Sequence, residues 1–186
     1  KHPKIKILAN RGLLVIIPRI VVAAFIILQI LGMVFYPGGT IHNNTTVGYS
    51  FTENFFSDMG THTAYNGEPN FLSMGIFIIS LTLCGLTFAV YYFALPQFFK
   101  SNVLNYRLAV FGTIFSIGGS IGLIGTGLTP ADLVLDPHIF FSNNIFFNNI
   151  DGLPKTRLVS GLNVFPKILI CLLCEFSITK SASQLD

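Results

Sequence analysis

Three runs of apolar residues, Leu13–Tyr36, Phe71–Leu95 and Leu108–Leu128, dominate the chain before residue 129. A bilayer's hydrocarbon core takes about 20 helical residues to cross, so each run predicts a spanning helix. The second and third contain no charged residue. The first contains only Arg19, beside Pro18 near its start, where a proline is tolerated and an arginine snorkels to the headgroups. Pro96 closes the second run and Thr129-Pro130 the third.

Beyond residue 136 the pattern weakens. Pro137–Ile150 is apolar but carries Asn143, Asn144, Asn148 and Asn149, which helical spacing scatters around the circumference. As a helix it would reach roughly 21 Å against a core of about 30 Å, which predicts a strained span or an interfacial helix. A further apolar stretch, 162–178, is interrupted by Pro166, Lys167 and Glu175. The expected fold is an all-α membrane protein: a polytopic helical bundle of three transmembrane helices with one or two more C-terminal segments. Residues 1–150 form the membrane domain and 151–186 a tail.

Charge sets the orientation. No lysine or arginine occurs between Arg19 and Lys100, or between Arg107 and Lys155. The same stretches carry Glu53, Asp58, Glu68, Asp132 and Asp136. Cytoplasmic loops retain Lys and Arg while exported loops are poor in them. The expectation is a multi-pass protein of the cell membrane with a cytoplasmic N-terminus and loops 37–70 and 129–137 outside. A span at 137–150 would return Lys155 and Arg157 to the inside, and one at 162–178 would place Lys180 outside.

Composition agrees. Of 186 residues, 52% are hydrophobic and 10% charged, against roughly 25% charged in soluble domains. The net charge is +3, with cations in short clusters flanking apolar runs, as suits anchoring to anionic headgroups. The lipid bilayer is the expected partner. Nucleic acid is not, since there is no basic face or binding motif. Cys84, Cys171 and Cys174 all lie in apolar runs and read as embedded thiols, not as a disulfide framework. Lys1, Lys4, Lys6 and Arg11 resemble a signal peptide's basic region. The apolar run after them is too long for a signal core and lacks a small-x-small cleavage site, so an uncleaved anchor is expected.

The third run is rich in small residues. Gly112, Ser116, Gly118 and Gly122 let neighbouring backbones approach closely, which predicts a central packing helix or the seam of a homo-oligomer.

The outer loops hold the candidate chemistry. Pro37-Gly38-Gly39 is a turn, and Asn43-Asn44-Thr45-Thr46 contains two overlapping glycosylation sequons, which matter only in a eukaryotic secretory pathway. Phe55-Phe56 before Ser57-Asp58 suggests a segment dipping to the membrane surface. Asp58 and His62, four apart, would share a helix face. With Asp136 and His138 they offer carboxylates and imidazoles for zinc; Ser57, Asp58 and His138 offer an acid–base set. The plainer reading is solvated loop residues, with Asp58 as a helix cap. No H-x-x-x-H or H-E-x-x-H spacing, glycine-rich phosphate loop or nucleophile elbow is present, and the first three spans show no proton relay.

Phe56-Ser57-Asp58-Met59-Gly60, Asn70, Gly122, Gly127, Pro130 and His138, with Tyr36-Pro37-Gly38-Gly39 before them, resemble the small multi-pass prokaryotic membrane proteins grouped as domain of unknown function 998. The resemblance covers about residues 14–147. It implies a six-helix membrane fold and draws attention to Ser57, Asp58, Asn70 and His138. After Phe147 the chain departs from that pattern, as a divergent, truncated or frame-shifted tail would. The layout is also similar to membrane-embedded metal-dependent lipid hydrolases, by analogy alone. Three functional expectations result: a polar outer-face site directed at lipid, a non-catalytic assembly or permease component packing through the third helix, or a degenerate fragment.

Overall fold

The computed structural model describes residues 11–145. The chain divides into two units, Lys1–Asn149 and Ile150–Asp186, and every described residue belongs to the first. The stretches 146–150 and 162–178, with Cys171 and Cys174, lie outside the described residues.

Four α-helices make up the described part: α1 (Arg11–Phe35), α2 (Phe71–Ala94), α3 (Val103–Leu128) and α4 (Leu135–Asn144). Short 3-10 turns occur at Phe56–Gly60 and Leu95–Phe99. Among the described residues there is no named strand; the extended pieces make only isolated bridges, Gly38 with Val47 and Thr63 with Pro69. Three helical stretches are long and apolar enough to cross a membrane: Leu14–Phe35, Phe71–Phe99 and Val103–Leu128. This is the all-α architecture that the apolar pattern predicts.

The boundaries differ in two places for local reasons. The third helix begins at Val103, ahead of the apolar run, because Asn102 caps it: its Oδ1 accepts the N–H groups of Leu104 at 2.9 Å and Asn105 at 3.1 Å. The second helical stretch passes through Pro96, which sits in the first turn of the 3-10 segment, where no intrahelical N–H is required.

α2 packs against both α1 and α3, and α4 lies on α3. Lipid gives little reward for apolar burial between helices, so small residues and hydrogen bonds carry these contacts. A Cβ on Gly85 of α2 would stand 2.8 Å from the Ser120 carbonyl oxygen of α3, so the two backbones nearly touch. Between α1 and α2, the Ser73 hydroxyl donates to the Gly32 carbonyl at 2.8 Å. Deeper in the pair, Gln29 Nε2 donates to Ser80 Oγ at 2.5 Å, and Ser80 donates on to the Phe77 carbonyl at 2.9 Å.

Candidate functional site

The turn at Phe56–Gly60 is inserted into the helix bundle. Phe56 packs 6.5 Å from Phe25 of α1 and 5.6 Å from Phe77 of α2, centroid to centroid. Both partners belong to stretches long and apolar enough to span a membrane, so the turn wedges between these helices instead of resting on their ends. Met59 is completely buried and Asp58 is 4% exposed. A Cβ on Gly60 would stand 2.5 Å from the Phe77 ring, so only glycine lets the turn seat this closely.

Irregular backbone at membrane depth must be satisfied by protein groups. Asn70, 1% exposed at the start of α2, does most of this. Its Nδ2 donates to the carbonyls of Thr61 at 2.9 Å and Met59 at 3.1 Å, with a longer contact to Asp58 O at 3.4 Å. Ser73 also reaches the Met59 carbonyl, at 3.3 Å. The Asn70 N–H donates to the His62 carbonyl at 2.9 Å, so one residue ties the whole 58–62 stretch to α2.

The Asp58 carboxylate faces back along its own turn. Its Oδ2 accepts the Phe55 N–H at 2.8 Å and Asn54 Nδ2 at 3.0 Å. Asn54 Nδ2 also donates to the Gly39 carbonyl at 2.9 Å, joining the start of the loop to its middle. Gly39 has φ +83°, and its missing Cβ would fall on the backbone of Tyr65 and Asn66, so both its conformation and its crowding require glycine.

Asp132, in the turn after α3, completes the frame. Its Oδ1 accepts the His62 N–H and its Oδ2 the Thr63 N–H, each at 2.9 Å. Tyr36, 2% exposed at the end of α1, feels both carboxylates. Burial pushes its phenol up to about 12; the Tyr65 N–H on its oxygen opposes the rise, and Asp58, Tyr65 and Asp132 add to it. Tyr49, edge-on to Tyr36 at 5.9 Å, is raised as well, first by burial and then by Asp58 and Tyr36.

His138 of α4 is 6% exposed. Its Nδ1 lies 2.6 Å from the Thr129 carbonyl. A carbonyl only accepts, so Nδ1 carries a hydrogen in this contact, and Nε2 is the ring nitrogen turned away from it.

The sequence-derived candidates are distributed unevenly. Ser57 is half-buried beside buried Asp58. His62 does not share a helix face with Asp58: the 3-10 turn ends at Gly60 and Thr61 is extended, which breaks the four-residue periodicity. The His62 ring instead packs edge-on against Phe71 at 5.0 Å, with Nδ1 3.3 Å from Thr63 Oγ1. Asp136 is exposed in the first turn of α4. Among the described residues, no group of three or more His, Cys, Asp or Glu side chains is placed to hold a metal ion. Of the four sequence-derived ligand candidates, Asp58 accepts two N–H donors on Oδ2, His62 packs on Phe71, His138 directs Nδ1 to the Thr129 carbonyl, and Asp136 is exposed.

On α3, a Cβ at Gly122 would lie 2.9 Å from Ile145 N and 3.0 Å from the Phe141 carbonyl, so this glycine seats the end of α4. Gly112 faces open space, Ser116 donates to the Gly112 carbonyl at 2.9 Å, and Gly118 is half-buried. Sequence reasoning did not single out Asn54, Gln29 or Tyr49; Tyr36 entered it only through the family resemblance and Asp132 only as an acidic loop residue. Their roles depend on distant partners that no local pattern specifies.

No family model, curated protein or solved structure matches the chain.

Proposed function

We propose that this multi-pass membrane protein receives a lipid headgroup, or a lipid-linked polar group, at the end of the bundle formed by loops 37–70 and 129–137. The observation that carries the reading is the burial of Asp58 in a turn wedged between two spanning helices. An ionisable side chain at such a position is costly and marks a functional site by default. The two loops carry carboxylates and no lysine or arginine, so the complementary headgroup bears an amine. In this reading Ser57 and Asp58 hold the headgroup and His138 Nε2 is the acid–base group, its tautomer fixed by Thr129. The resemblance to domain of unknown function 998 supports the choice of Ser57, Asp58 and His138, and the positive-inside pattern supports an outward orientation in the cell membrane.

The test is lipid retention. The purified full chain is exchanged into micelles containing equal phosphatidylethanolamine and phosphatidylcholine, and bound lipid is counted by native mass spectrometry. Preferential retention of the amine-bearing lipid, lost in Asp58→Asn and reduced in His138→Gln, supports the reading. Equal retention of both lipids by the wild type sinks it.

A second reading is a membrane assembly component. The open space at Gly112, one turn from Ser116 on an otherwise lipid-facing stretch, favours a second helix docking there. Gly112→Leu would then abolish crosslinked oligomers, and an unchanged crosslinking pattern would dismiss this reading.

A further inference from the structure

The opposite end of the bundle carries a second, differently built cleft. It lies between the end of α2 with its 3-10 extension and the start of α3, and holds about 370 Å³. Phe93, Pro96, Gln97, Lys100, Tyr106 and a strip of α3 line it. That strip is Val110, Thr113, Ile114 and Ile117, which follow Tyr106 at helical spacing and so form one face about 10 Å long.

The lining is graded. Gln97, Lys100 and Tyr106 cluster in the chain where α2 hands over to α3, at the level where Lys100 and Arg107 bracket the two spans. The strip beyond them is apolar in effect. Its one polar member, Thr113, donates its hydroxyl to the carbonyls of Ala109 at 2.8 Å and Tyr92 at 3.0 Å, which removes it from competition for a ligand. No lining residue is acidic. The capped N-terminus of α3 adds the positive end of a 26-residue helix dipole to the charge of Lys100.

We infer that this cleft is a binding site for one anionic phospholipid of the leaflet on the Lys100 side, with the phosphate at Lys100 and Tyr106 and an acyl chain along Val110, Ile114 and Ile117. Exposed apolar helix faces contact lipid in any membrane protein. Here a volume with one cationic end and an apolar strip joined to it selects a headgroup by charge and holds a chain by shape. The positive-inside orientation makes this the cytoplasmic leaflet, where anionic lipids concentrate. The inference is independent of the proposed outer-face function: it uses none of the same residues and predicts the opposite headgroup charge.

The experiment again uses the full chain and native mass spectrometry, now with phosphatidylglycerol and phosphatidylcholine of identical acyl chains. The wild type should retain one phosphatidylglycerol in preference to phosphatidylcholine. Lys100→Gln, at an exposed position that leaves packing intact, should weaken that preference roughly five-fold, the effect of one cation near a membrane surface. Ile114→Trp, also exposed, should fill the strip and reduce retention of the phosphatidylglycerol without unfolding the protein. Free glycerol phosphate should not displace the bound lipid, because it lacks the chain; displacement would mean a phosphate site only and would overturn the inference. So would an unchanged preference in Lys100→Gln, or retention unaffected by Ile114→Trp, as expected if another segment of the chain fills the cleft. Asp58→Asn should leave all these values at wild type, which separates failure here from failure of the outer-face reading.

Discussion

Asp132 grips the backbone of His62 and Thr63 with both carboxylate oxygens, at 2.9 Å each and across about seventy residues of sequence. The turn after α3 is thereby fastened to the loop that precedes α2. Asp132→Asn replaces one acceptor with a donor and leaves one of the two N–H groups unpaired. Charged hydrogen bonds of this kind contribute about 1.5–3 kcal/mol when shielded, and the exposure of Asp132 reduces that to about 1 kcal/mol. Hydrogen exchange at the His62 and Thr63 amides should accelerate roughly five-fold. Exchange at wild-type rates would show that the clamp contributes nothing.

Asn70 should be the least replaceable side chain of the loop. Both Asn70→Ala and Asn70→Asp remove the amide hydrogens that satisfy the Met59 and Thr61 carbonyls. The Thr61 carbonyl loses its amide donor, while the Met59 carbonyl keeps Ser73 at 3.3 Å; an unpaired buried acceptor costs about 1–3 kcal/mol, so either variant should lose about that much, read as a lowered unfolding midpoint in detergent. The isosteric Asn70→Asp separates the two explanations: if the residue only fills space, its midpoint will match wild type.

Gly60→Ala drives a methyl group into the Phe77 ring. Overpacking of this kind costs about 1–3 kcal/mol. Phe77→Leu, harmful by itself, should recover part of the loss when combined with Gly60→Ala, giving a coupling of at least about 0.5 kcal/mol. Strict additivity of the two substitutions would place the turn away from α2.

Tyr36 predicts a direction with pH. Its phenol is raised from 10.0 to about 12 in the fold. Below the unfolded value both states hold the proton and no pH dependence arises from this group. Between about 10 and 12 the unfolded chain loses the proton and the folded chain keeps it, so stability falls as pH rises through that window. Tyr36→Phe should flatten this alkaline decline, measured as the unfolding midpoint against pH. A decline of the same slope in the variant would assign it to other groups.

The legible parts of this protein are those that a repeating pattern encodes. The three spans follow from apolar runs whose length matches the bilayer, and the cation-free stretches gather the outer loops at one expected face. The loop architecture was less legible. The Phe55-Phe56 pair indicates contact with the membrane, but not that Phe56 reaches between Phe25 and Phe77. Asp58 and His62 look like neighbours on a helix only while the helix is assumed to continue, and it stops at Gly60. Asp132, Asn54 and Gln29 gain their roles from partners 70, 15 and 51 residues away, contacts that one sequence does not reveal. Asn70 was picked out by family resemblance; its three-carbonyl role follows from the fold.

The most direct test of the outer-face reading is photo-crosslinking of the full chain in vesicles with phosphatidylethanolamine bearing a diazirine on its headgroup, followed by peptide mapping. Adducts should concentrate on segments 55–62 and 129–138 and fall at least several-fold in Asp58→Asn, with helicity unchanged. Adducts spread along the lipid-facing sides of α1–α3, and equal in the wild type and Asp58→Asn, would contradict it.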